Sequence, residues 1–82
     1  MTKQERQRLA AALSKAIQAA GGPAEVARFI SDRYESITTQ AVSAWKLCPP
    51  RRAVQVAAAV AARGGNIAAR DIRPDIYEAI AA

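Results

Sequence analysis

The sequence predicts an all-α fold, a small bundle of four to five short helices. Three observations carry that expectation. Apolar residues recur at steps of three and four, no segment alternates with the period of a strand, and Gly and Pro fall at intervals that suit helix ends. With 82 residues the chain is long enough for one domain and too short for two, so residues 1–82 are read as one unit with 66–82 as its tail. Hydrophobic residues make up 51% and aromatic residues 5%, so the expected core is built from Ala, Val, Ile and Leu.

The first helix is expected from Thr2 to Ala20, with Leu9, Leu13, Ala16, Ile17 and Ala20 on its inner face. Arg6, Arg8 and Lys15 lie off that stripe and read as a solvated face. Gly21-Gly22-Pro23 closes this helix and opens the next, since Gly suits a helix C-terminus and Pro suits a first turn. The second helix carries Val26, Ala27 and Ile30 inward, with Phe29 at the flank. Ser31 to Ser36 contains no decisive breaker, so its end is open. Thr38 is the expected N-cap of a third helix running through Gln40, Val42 and Trp45 to about Leu47, where Cys48-Pro49-Pro50 breaks it. Pro50 then opens a fourth helix burying Ala53, Val56, Ala57 and Val60, and Gly64-Gly65 stops it. The tail holds a short helical turn at Ala68–Ile72, a stop at Arg73-Pro74 and a final helical stretch from Asp75.

Twelve Lys and Arg against seven Asp and Glu give a net charge of +5, and the sequence pI is near 10.2. A small domain this basic points to a polyanionic partner, with nucleic acid first. There is no His and one Cys, which excludes a Cys/His zinc site and a His-based triad. Cys48 reads as a small apolar filler, and no acid, base and nucleophile stand in a credible arrangement. No apolar run approaches the ~20 residues of a membrane span, and the charged start Met1-Thr2-Lys3-Gln4-Glu5-Arg6 is unlike a signal peptide. The chain is therefore expected to be a soluble, cytoplasmic, non-enzymatic protein without cofactor or metal.

The third helix carries the functional reading. Thr38, Ala41, Val42 and Trp45 fall on one stripe, while Thr39, Gln40, Ser43 and Lys46 form a polar opposite side. Gln can pair with an adenine edge, Ser and Thr with several base edges, and Lys with guanine or phosphate. These four are the candidate base-reading residues, and a short helix with this outer face, following another short helix, is what a helix-turn-helix needs to read the major groove. Gly22 and Ala24 at the start of the second helix, Thr38 at the start of the third, and Arg51 and Arg52 at the start of the fourth are the candidate phosphate contacts. Two arginines at a helix N-terminus oppose its dipole, and a passing phosphate would relieve them. Asp71, Asp75 and Glu78 could suggest a cation site, but they are spread along the tail and read instead as caps or as partners of Arg70 and Arg73. Tyr34 is open between a phosphate contact and a cover for the core edge.

Several separate motifs in order carry a resemblance. They are Ala19-Ala20-Gly21-Gly22, Val26-Ala27, Thr39-Gln40-Ala41-Val42-Ser43-Ala44-Trp45, Pro49-Pro50-Arg51-Arg52 and Asp71-Ile72-Arg73-Pro74-Asp75-Ile76-Tyr77. Together, over about Ala16 to Tyr77, they resemble phage Cro-type repressors and the related YdaS-type antitoxin-like regulators. The resemblance implies a lambda-repressor-like fold and repression of transcription by dimeric binding to operator DNA. An antitoxin-like module, whose main partner is a toxin, is the alternative. One departure stands out: Ser31 to Ile37 is longer than the short Gly-containing turn of that family, so either the second helix gains a turn or the turn has become a loop. Ile76, Tyr77 and Ile80 give the tail a small apolar face. It is read either as the contact of a weak homodimer or as a segment folded back on the core.

Overall fold

The computed structural model describes residues 2–81, with side chains through residue 77. Among the described residues there are six helices and no strand. They are α1 (Lys3–Ala19), α2 (Pro23–Arg33), α3 (Thr39–Ser43), α4 (Arg52–Ala62), α5 (Ala69–Ile72) and α6 (Pro74–Ala81). The all-α expectation is met, and the tail contributes two helices beyond the four of the body. The last two are separate because Asp71 Oδ2 accepts from the Ala68 N–H at 2.8 Å to start α5, while Pro74 opens α6.

Helix ends follow the chemistry of the sequence. Thr2 caps α1, its hydroxyl accepting from the Glu5 N–H at 3.1 Å. Gly21 and Gly22 adopt φ of +102° and +101°, a region open to residues without a Cβ. Their N–H groups donate back to Gln18 and Ile17 carbonyls at 3.1 and 2.9 Å, closing α1. The pair Gly64 and Gly65 ends α4 in the same way, donating to Ala61 and Val60, each at 3.0 Å.

The core is assembled from α1, α2, α4 and α5, with α3 packed against α2. Leu13, Ala16 and Ala20 of the first segment meet Val26, Ala27 and Ile30 of α2. Val42, Cys48, Ala53, Val56, Ala59, Val60 and Ile72 complete the cluster. Ala57, expected inside, is half-buried, and Ala59 takes the buried place. The larger rings of Phe29, Trp45 and Tyr77 cover the cluster at its edges. Small side chains let the helices approach closely, and the radius of gyration of 11.9 Å is what a compact chain of this length has, about 11.7 Å.

The connection between α2 and α3 combines both expected alternatives. The second helix runs on to Arg33, and residues 34–38 then form a loop. Ser31 closes that loop: its hydroxyl donates to the Ile37 carbonyl and accepts from the Ile37 N–H, both at 3.0 Å. Tyr34 stays exposed at the end of α2, its ring centroid 6.4 Å from that of Phe29. The Arg33 guanidinium lies 4.6 Å above the Phe29 ring.

The third helix is shorter than expected. It stops at Ser43 with Ala44 as C-cap, and neither Trp45 nor Lys46 is helical. Pro49 disfavours helical backbone at the residue before it. Cys48 is also only 1% exposed, so the chain leaves the helical path early to carry that side chain into the core. The fourth helix likewise begins later than expected, at Arg52, because Pro49 to Arg51 form the turn that leads into it.

Candidate nucleic-acid interface

Thr38 fixes the start of α3. Its hydroxyl accepts from the Ala41 N–H at 3.1 Å, and one turn in, Val42 is buried to 1% exposure. That anchoring leaves Thr38, Thr39, Gln40 and Ser43 exposed together. Three of the four expected base-reading side chains therefore share one short helix. The fourth, Lys46, lies past the helix end on an exposed bend. Lys46 and Ser43 rim an open cleft of about 400 Å³ whose other wall is α1, with Ser14 and Gln18 facing them and Trp45 at its side. Trp45 is half-buried and packs against the core cluster.

The expected phosphate contacts divide. The Gly22 N–H, expected to face an anion, is engaged in the close of α1 by the Ile17 carbonyl, so that expectation is corrected. Ala24 is exposed in the first turn of α2, whose N-terminus has no side-chain cap. Glu25 occupies the same turn and pairs with Arg28 at 3.4 Å.

Arg51 is exposed at the N-cap of α4. Arg52 pairs with an anion of its own chain. Its Nη1 donates to Gln55 Oε1 at 2.7 Å and lies 3.4 Å from Glu35 Oε1, leaving the side chain 12% exposed. Glu35 belongs to the α2–α3 loop, so this pair ties the loop to the start of α4. The dipole conflict expected at that helix start is relieved here by a carboxylate of the same chain.

The tail holds the turn before α4. Arg73 is buried and donates from Nη1 to the Cys48 carbonyl at 2.7 Å. Its Nε and Nη2 donate to the two carboxylate oxygens of Asp75 at 2.9 and 2.7 Å. This paired hydrogen bond raises the Arg73 pKa and lowers that of Asp75. The Tyr77 hydroxyl donates to the Pro50 carbonyl at 2.6 Å. Tyr77, expected at a dimer contact, is thus turned onto its own chain, because its ring covers the core and its hydroxyl satisfies a turn carbonyl. Ile76 is half-buried, and the Ile80 side chain lies outside the described residues. Among the described residues no helix is long and apolar enough to cross a membrane.

Three residues join this neighbourhood without having been singled out in the sequence. Ser31 closes the loop before α3, and Glu35 neutralises Arg52. Arg63 lays its guanidinium over Gly21, where a Cβ would come within 3.0 Å of it. Each acts across a gap in sequence with no periodic or motif signal. No family model, curated protein or solved structure matches this chain.

Proposed function

We propose that this protein is a sequence-specific DNA-binding repressor of the phage or prophage type that its sequence resembles, reading the major groove with α3. The observation that carries this reading is the exposed polar face of Thr39, Gln40 and Ser43 on a helix fixed from behind by Val42. Those side chains supply the donors and acceptors that base edges require. Arg51 at the head of α4 supplies a backbone contact, and the +5 charge draws the chain to the duplex. Two copies on a palindromic site place their reading helices about 34 Å apart, which lengthens the sequence read beyond one short helix.

Selection of duplexes from a random pool, followed by titration of the winner against salt, tests the reading. The expected result is a common, two-fold symmetric sequence. Its binding constant should fall with salt at a log–log slope of about −0.9 per phosphate contacted. No duplex binding at low salt would overturn the proposal.

A further inference from the structure

The turn formed by Cys48, Pro49 and Pro50 has an unusual balance of polar groups. Pro49 and Pro50 have no N–H, so this stretch is rich in acceptors and poor in donors. Its own helix answers only partly, with the Arg52 N–H donating to Pro49 at 2.9 Å and the Ala53 N–H reaching Pro50 at a long 3.4 Å. The tail supplies the rest. Arg73 donates to the Cys48 carbonyl at 2.7 Å and Tyr77 to the Pro50 carbonyl at 2.6 Å, across sequence gaps of 25 and 27 residues. Asp75 holds the Arg73 guanidinium by its remaining edge, so the donor to Cys48 is fixed in direction.

A tail that only enlarged the core would meet it with apolar groups. This one places a buried cation and a phenol on the carbonyls immediately before Arg51. Resting on the DNA-binding reading above, we infer that Tyr77 and Arg73 are positioning residues for the Arg51 phosphate contact: they lock the Pro49–Pro50 turn and so fix where α4 presents its first arginine. The Glu35–Arg52 pair at 3.4 Å ties the same end of α4 to the α2–α3 loop. Arg51 is thereby held at a fixed place at the head of α4, and phosphate binding meets a pre-set cation in place of a mobile one.

The test is a double-mutant cycle on the full chain with a selected duplex, using Tyr77→Phe and Arg51→Ala. Tyr77→Phe keeps the ring that covers the core and deletes only the hydroxyl. It should weaken binding roughly three- to tenfold, the range expected for one lost hydrogen bond, and make the salt slope shallower by up to about 0.9. In the Arg51→Ala background the same substitution should have no further effect. Amide exchange at Arg52 should also speed up in Tyr77→Phe without DNA, because the turn that accepts its N–H has been released.

Unchanged Arg52 exchange in Tyr77→Phe would overturn the clamp whatever the DNA results. A binding loss that persists undiminished in the Arg51→Ala background would overturn the link to Arg51 and leave the DNA reading standing. Failure of the unmodified chain to bind any duplex would instead sink the DNA reading, and the role of Arg51 with it. Faster exchange together with loss of the binding effect on removing Arg51 supports the inference.

Discussion

Cys48 shows how much one side chain's surroundings decide. The sequence gives it no His partner and sets it before Pro49, which reads as an apolar filler, and the structure buries it in the core cluster. Burial pushes the thiol up to about 11, against the opposing fields of Arg73 and Arg52. A thiol held well above its ordinary value of about 8.5 favours the native state up to that value. The advantage is lost as pH climbs towards about 11. At pH 7.5 the native chain should therefore react with a disulfide reagent roughly a hundredfold or more slowly than the unfolded chain. Timed release of the coloured thiolate, with and without denaturant, measures this. Equal rates would mean that the side chain is not enclosed. Arg52 teaches the opposite lesson. Its position in the sequence suggested a free cation, whereas Glu35 and Gln55 occupy it, and no local pattern announces a pairing that spans 17 residues.

At the scale of the element, α3 was legible at its start and not at its end. Thr38 caps by a local rule, its hydroxyl reaching the N–H three residues on, and local rules can be read from sequence. The end is set by the demand that Cys48 enter the core ahead of Pro49, a tertiary condition that the spacing of Trp45 and Lys46 conceals. The same holds for the loop before it, whose length was visible but whose closure by Ser31 depends on a bond to Ile37 across six residues. The shorter helix sharpens an expectation. Gln40→Ala and Ser43→Ala should relax the selected sequence, each by about 1–3 kcal/mol of discrimination between the preferred base and the others. Lys46→Ala, beyond the helix end, should weaken all duplexes alike and leave the preferred sequence unchanged. Competition titrations with single-base variants of the selected site separate the two outcomes. A Gln40→Ala protein that keeps its full preference would mean that α3 presents another face to the bases.

At the scale of the whole molecule, the fold closes through its tail. The apolar stripes of α1, α2 and α4 were readable because each repeats within a few turns, and they account for most of the core. That Arg73 and Tyr77 grip the Cys48–Pro50 turn was not readable, since hydrogen bonds to backbone carbonyls leave no periodic trace. The tail was instead open between an interface and a fold-back, and Tyr77 takes the second course. A chain cut at Arg73 would therefore lose stability as well as any contact with a second copy, so truncation alone cannot report on assembly. The ion pair of Arg73 and Asp75 gives the cleaner handle. The hydrogen bonds from Arg73 hold the Asp75 carboxyl below its ordinary value of about 3.9. A depressed native pKa contributes stability above the unfolded value, and that contribution is lost as pH falls through the native one. Asp75 is about a third exposed, so solvent screening keeps the contribution modest. Asp75→Asn should be less stable than the parent chain at pH 7, and the two denaturation midpoints should converge as pH drops below about 4. Urea melts at a series of pH values follow the difference between the two proteins, which cancels carboxylates common to both. A gap that stayed constant from pH 7 to pH 2 would show that the lost stability comes from packing around residue 75 and not from its charge.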